Sequence, residues 1–128
     1  MNARDAAGSG TGPAARSREQ GPPAYLIYTC HEFRDKPGHV AYCEGVQDTL
    51  AGTGAQVLVA YTPFEVLEGD KEVKGVVVIK FPTYAAAKNW YDSDAYVAVR
   101  GRRMRNSYTG ILVEEGFTPV AERFPEVE

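Results

Sequence analysis

The chain has 128 residues, 44% of them hydrophobic, which sits inside the usual size of a single domain with one buried core. Its 14 Lys and Arg residues against 17 Asp and Glu give a formal charge of −3, without the basic excess that drives binding to phosphate backbones, so no nucleic-acid partner is expected. No apolar run approaches the roughly 20 residues that cross a bilayer, and the opening stretch lacks the apolar core of a signal peptide; a cytoplasmic protein with no membrane partner is expected.

Residues 1–23 are rich in Gly, Ala, Ser, Pro and Arg and contain no aromatic residue, so they have little to offset their ordering entropy and are expected to form a disordered leader. Aromatic and branched residues begin at "AYLIYTCHEF", which predicts a first strand over 24–32 that stops at Arg34-Asp35-Lys36-Pro37-Gly38. Pro37 suits a first helical turn, and His39, Cys43, Val46 and Leu50 then share one face of a helix ending near Gly52 and Gly54. "AQVLVAYTPFEVLEG" reads as a strand broken at Thr62-Pro63 and resumed from Phe64 to Leu67, and "GVVVIKF" as a central, two-face-buried strand.

After Pro82-Thr83 the pattern predicts two short helices meeting at Asp92-Ser93, with Ser93 capping the second. "SYTGILVEEG" is a fourth strand, and 117–128 a tail containing Pro119 and Pro125. The order β-α-β-β-α-β is that of an α+β, ferredoxin-like unit, four antiparallel strands with the helices on one face. Strands this apolar need a cover on the other face, and a second copy packed sheet to sheet supplies it, so a homodimer is expected. Cys30 and Cys43, with no C-x-x-C spacing, are expected to be reduced and buried.

The chain has two histidines. His31 ends the first strand and shares a face with Tyr25, Ile27 and Thr29, whereas His39 lies in the first turn of the first helix, on its sheet-facing stripe. The positive end of the helix dipole holds a histidine there toward its neutral form, which suits a general base. The expected catalytic pair is therefore His31 as base, reaching the mouth between sheet and first helix, and His39 orienting it or the substrate. In the bland alternative, His39 packs and His31 is a solvated strand end. Two histidines without an evident third ligand speak against a metal site, and no cofactor is expected.

Aromatic residues supply the candidate pocket. Tyr25, Tyr28, Tyr42, Tyr61, Phe81, Trp90 and Tyr96, with Thr29, fall on or beside predicted elements, where they serve either as core and interface or as the wall of a site for a flat small molecule. Trp90 is expected to pack the second helical segment on the sheet. Tyr96, Val99 and Arg103 follow at helical spacing, so Arg103 turns inward while Arg100, Arg102 and Arg105 form a solvated edge.

Ala24-Tyr25, Leu67-Glu68-Gly69, Phe81-Pro82-Thr83, Ala87, Trp90-Tyr91, Ser93, Tyr96, Arg103 and Gly116 together make the chain resemble the domain-of-unknown-function 1330 family over 24–116. That family belongs to the dimeric α+β barrel superfamily, and Trp-Tyr-x-Ser-x-x-Tyr is the most specific part of the likeness. The resemblance implies a pocket between sheet and helices and a range of activities: cofactor-free monooxygenases, polyketide cyclases, muconolactone isomerases and haem-binding relatives. Where many relatives carry an Arg followed by glycines, this chain has Ala60-Tyr61-Thr62; it has Ala95 in place of a Glu and Lys80 in place of an acidic residue. That implies a pocket with more aromatic area and less attraction for an anion.

Two functions are compatible with these residues. One is a cofactor-independent enzyme of specialised metabolism, a cyclase, isomerase or dehydratase with monooxygenase as the nearest variant, acting on an aromatic or polyketide-like substrate by acid-base chemistry. The other is a non-catalytic homodimer that binds a hydrophobic metabolite or supports a partner enzyme.

Overall fold

A computed structural model describes residues 21–123, so the expected leader lies outside the described residues up to position 20, as does the expected tail from 124 on. Strand β1 (Ala24–Glu32) leads into helix α1 (Lys36–Thr49), and strands β2 (Gln56–Ala60) and β3 (Gly75–Phe81) follow. Helices α2 (Tyr84–Tyr91) and α3 (Asp94–Arg103), strand β4 (Ser107–Glu114) and one turn of helix, α4 (Val120–Arg123), complete the described chain. All strand pairs are antiparallel, in the order β2-β3-β1-β4, which is the expected ferredoxin-like sheet.

Helices α1, α2 and α3 each start where a side chain can accept a free backbone N–H. Asp35 Oδ1 accepts from the Gly38 amide at 3.0 Å, Thr83 Oγ1 from Ala86 at 3.0 Å, and Ser93 Oγ from Tyr96 at 3.2 Å. Pro37 occupies the first turn of α1, where its missing N–H has no cost. Buried Asn106 joins the far ends of the domain: its Oδ1 accepts from the Arg34 and Asp35 amides at 2.7 and 2.8 Å, and its Nδ2 donates to the carbonyls of Asp35 and Arg103 at 3.3 Å. The end of α3 is thereby tied to the turn that enters α1.

Alternation along β1 decides which face is the core. Ala24, Leu26, Tyr28 and Cys30 are buried beneath the helices, while Tyr25, Ile27 and Thr29 on the other face are half-buried. Leu26, Tyr28, Ile79 and Phe81 of the sheet meet Tyr42, Ala87, Trp90, Tyr96 and Val99 of the helices. Trp90, 2% exposed, packs on Tyr96 and Phe81 with ring centroids 3.9 and 5.4 Å away, and its Nε1 donates to Thr49 Oγ1 at 2.9 Å. It thus joins α2 to both the sheet and α1.

On the helix-free face, Ile27 stands between Val78 and Ile111, and Thr29 between Val76 and Thr109. Ile111 and Val113 are exposed there.

The strand expected to resume from Phe64 to Leu67 does not form. After Ala60 the chain turns at Tyr61, Pro63 removes a ladder donor, and Phe64, Val66 and Leu67 are exposed with no strand beside them. In the tail, Val120–Arg123 make a helical turn where irregular chain was expected, closed by the Glu122 amide donating to the Pro119 carbonyl at 2.9 Å. Cys30 is buried as expected, whereas Cys43 is only half-buried; both are free thiols. Among the described residues no helix is long and apolar enough to cross a membrane.

Replacing Asn106 with Ala leaves two amides and two carbonyls at the α3 exit without their partner. We expect a loss of about 2 kcal/mol in urea unfolding with an unchanged m-value. A loss within experimental error would show that water replaces the side chain at no cost.

Candidate functional site

The helix-covered face is not filled completely. Between β1, β2 and β3 below and α1 above lies a cavity of about 300 Å³, at the small end of ligand sites. Tyr28 of β1, Val57 and Ala60 of β2 and Val77 and Ile79 of β3 make its floor; Tyr42, Cys43, Val46, Gln47 and Leu50 of α1 make its roof. Tyr61, Arg103 and Tyr108 close one end.

Local backbone features set the two aromatic walls. Tyr61 has φ 57°, the only positive φ of a non-glycine among the described residues, at a cost of about 1 kcal/mol for a side chain of this size. This turn lays its ring over Gly75, where any Cβ would collide with Tyr61 Cδ1. Gly110 does the same for Tyr28: a Cβ there would lie 2.7 Å from Tyr28 Cε1.

Arg103 is 5% exposed and stands among tyrosines. Its guanidinium carbon is 4.6 Å from the Tyr28 ring, 4.9 Å from Tyr108 and 5.4 Å from Tyr42. Nη2 donates to the Tyr96 hydroxyl at 3.5 Å, and that hydroxyl bonds those of Tyr28 and Tyr42, each at 2.9 Å. Nε has no hydrogen-bond partner, and no ion pair among the described residues involves Arg103. Among the described residues, a cation is thus held in the interior by rings, phenol oxygens and the Met104 sulfur, with no carboxylate.

Beside it runs a line of hydrogen bonds. The Tyr61 and Tyr108 hydroxyls are 2.6 Å apart, Tyr108 OH is 2.8 Å from His39 Nδ1, and His39 Nε2 is 3.5 Å from Cys43 Sγ. Stacking on Tyr108 and edge contacts with Tyr61 and Phe33 fix the His39 ring. The hydroxyls can point either way, according to the imidazole tautomer, so a proton can pass from Tyr61 to His39 or back.

Electrostatics identifies the proton acceptor. Burial pushes the Tyr61 phenol up to about 12 and drives Tyr28, Tyr42 and Tyr108 higher still, so none is a phenolate near neutral pH. Burial and the Arg103 charge hold His39 below its ordinary value, leaving it neutral and able to accept a proton. Burial also raises the Cys43 thiol, which stays protonated.

Of the residues expected from the sequence, Tyr28, Tyr42, Tyr61 and Arg103 line the cavity, Tyr96 links two of them from behind, and His39 backs the Tyr61–Tyr108 end. Phe81 and Trp90 belong to the core and do not line it. His31, Tyr25 and Thr29 were expected at the mouth between sheet and α1. They do share a face, but the helices cover the opposite one, so His31 cannot reach the mouth. Its Nδ1 instead meets the Glu72 carbonyl at 2.9 Å and its Nε2 the Thr109 and Thr29 hydroxyls at 2.9 and 3.2 Å, while Tyr25 donates to Glu115 at 2.7 Å.

Sequence reasoning missed Tyr108, Cys43 and Gln47 as wall residues. Tyr108 was legible: it precedes Gly110 and Leu112 at strand spacing and so shares their face. The remaining arginines form the expected edge. Arg100 lies over the Tyr91 ring, Arg102 donates to the Ala41 carbonyl, and Arg105 approaches Asp35. No His, Cys, Asp or Glu cluster of metal-ligating size occurs among the described residues.

The family described as Domain of unknown function (DUF1330) matches residues 23–117. Among solved structures, a protein of unknown function from Rhodopseudomonas palustris superposes with a TM-score of 0.59 at 14% identity, over 77% of this chain and 85% of that one. A DABB-family protein with a ferredoxin-like fold from Mesorhizobium loti gives 0.51 at 13% identity, over 78% and 99%. A dimeric protein of unknown function with a ferredoxin-like fold from Bacteroides fragilis gives 0.50 at 12%, over 73% and 96%. At such identities the likeness shows the fold alone. No curated protein matches the chain significantly.

The depressed His39 value has a thermodynamic consequence. Stability linked to it is fully present above the unfolded value of about 6.5 and is lost as pH falls from there toward the lower folded value, because only the unfolded chain gains the proton. Urea unfolding between about pH 7.5 and 5.5 should show this loss, and His39→Gln should flatten the curve in that window. An equal slope in both proteins would mean that His39 is not held neutral.

Proposed function

The chain belongs to the DUF1330 family, whose description assigns no reaction, and from the chemistry of its own cavity we propose a cofactor-independent enzyme that moves a proton on a small aromatic or polyketide-like substrate. The observation that carries this reading is the Tyr61–Tyr108–His39 line opening onto an apolar cavity beside a buried Arg103 that makes no ion pair among the described residues. The flat body of the substrate lies between the α1 roof and the Tyr28 and Ile79 floor, and its acidic C–H or O–H meets Tyr61. As the substrate bond breaks, Tyr61 takes that proton and passes its own to Tyr108, which passes one to His39 Nδ1. The enolate or phenolate left behind sits in the field of Arg103, which favours negative charge in a water-poor site.

Return of the proton to a different carbon gives isomerisation. Loss of a β-hydroxyl as water gives dehydration, and attack of the carbanion on a carbonyl gives ring closure. All three share the first step. With its imidazole held below the usual value, His39 is a weak base, so the substrate proton must already be activated by a carbonyl or aromatic ring. The role expected of His31 falls to His39, with Tyr28, Tyr42, Tyr61, Tyr108 and Arg103 as the binding residues. A binding role without turnover is the second reading, supported by the many apolar side chains of the cavity.

A cyclic 1,3-diketone in D₂O supplies the test, since exchange of its activated methylene reports proton abstraction without knowledge of the natural substrate. We expect exchange above the buffer rate, reduced roughly a hundredfold by His39→Gln and by Tyr108→Phe in folded protein. Exchange at the buffer rate, with the diketone bound, would support the binding reading instead.

For assembly we propose a homodimer through the helix-free sheet face. The exposed Ile111 and Val113, beside Ile27 and Val78, support it, and the Bacteroides fragilis neighbour is described as dimeric. Light scattering should give twice the chain mass at micromolar concentration, and Ile27→Lys should give folded monomer. A wild-type monomer would overturn the assignment.

A further inference from the structure

A second cavity, of about 490 Å³, lies behind the aromatic wall of the first, between β1 and β4 on one side and α2 and α3 on the other. Tyr28, Arg103 and Tyr108 belong to both, so the Arg103 guanidinium stands in the partition. The Tyr28 and Tyr108 rings lie 4.6 and 4.9 Å from its central carbon, with their own centroids 6.0 Å apart, so these two rings do not sandwich it. Its hydrogen-bonding capacity is under-used: Nη2 makes only a 3.5 Å bond to Tyr96 and a 3.8 Å contact with Met104 Sδ, and Nε, itself shut off from the cavity, makes none. Taking a guanidinium out of water without a counter-ion is costly, and a bound anion would offset that.

The second cavity brings its own cation. Lys88 of α2 lines it, and its one ion-pair partner, Asp92, is 3.4 Å away with both side chains about half exposed, an arrangement that holds little energy and exchanges readily with a ligand. Asp92 does not line the cavity, and none of the described residues that do is acidic. Leu26, Ala87, Met104 and Leu112 supply an apolar bed.

We infer that the second cavity is a binding site for a small organic carboxylate, its planar anion held between the Arg103 guanidinium and the Lys88 ammonium and its apolar body resting on Leu26, Ala87 and Leu112. The planar fork of the guanidinium matches a carboxylate, and the apolar bed leaves no role for a bare inorganic anion. The inference does not rest on the acid-base reading of the first cavity, since it uses neither His39 nor Tyr61.

Calorimetric titration of the full chain with benzoate, benzamide and inorganic phosphate tests it. Benzoate should bind, benzamide about tenfold more weakly or not at all, and rising salt should weaken benzoate alone. Lys88→Gln, at a half-exposed position that leaves the fold intact, should weaken benzoate about tenfold and leave benzamide unchanged. Methyl NMR should move Met104 and Leu112 with benzoate while Val46 and Leu50 of the first cavity stay in place. Equal affinity for benzoate and benzamide, an unaffected Lys88→Gln variant, tighter binding of phosphate than of benzoate, shifts confined to Val46 and Leu50, or no binding of benzoate would each overturn the assignment.

Discussion

The arrangement depends on a positive charge buried without an acidic partner among the described residues. Arg103 is kept in the interior by the faces of Tyr28, Tyr42 and Tyr108 and by the shared hydroxyl network around Tyr96, none of which carries a formal charge. Ring quadrupoles and phenol dipoles attract a cation more weakly than a carboxylate would, but they leave its charge uncompensated. The interior therefore has a fixed positive centre, and it stands on the wall of both cavities. His39 is the first group to register it, since the charge adds to burial in keeping the imidazole neutral.

Much of the surrounding fold holds this centre in place. Asn106 clamps the end of α3, three residues after Arg103, to the turn into α1, and so fixes the helix from which the arginine projects. Glycines at 75 and 110 admit the rings of Tyr61 and Tyr28 against the sheet at points where any other residue would push them off. The strained turn at Tyr61 is held by its amide bond to the Val76 carbonyl, 2.9 Å, and by its hydroxyl bond to Tyr108. Backbone strain, two close approaches and one buried amide side chain thus converge on the same wall.

Elements whose signals are local were legible in the sequence. The β1 and β3 runs, the Pro37 helix start, the Ser93 cap and the inward turn of Arg103 each follow from a few neighbouring residues, and the structure has them where they were expected. The choice of covered sheet face was not legible. Alternation grouped His31 correctly with Tyr25 and Thr29, but both faces of β1 are apolar enough to be core, and only the packing of the helices, α2 with its Ala87 and Trp90 included, decides between them. The run from Phe64 to Leu67 has strand-like composition but pairs with neither edge strand, β2 or β4, a tertiary fact that propensity does not contain. Tyr108 was obscured for a different reason: the strand carrying it was recognised, but nothing local marks one tyrosine among eight as the bridge between a histidine and the Tyr61 turn.

The resemblance implied that replacing an arginine and glycines by Ala60 and Tyr61 makes the pocket less receptive to anions. The buried Arg103 works against that expectation, because its charge has no ion-pair partner among the described residues. On the binding roles proposed above, the site selects by refusal. An amine entering either cavity meets like charge in a medium that screens poorly, and the described lining holds no carboxylate to pair with it, so of two molecules of one outline the acid would be admitted and its amine analogue left in solvent.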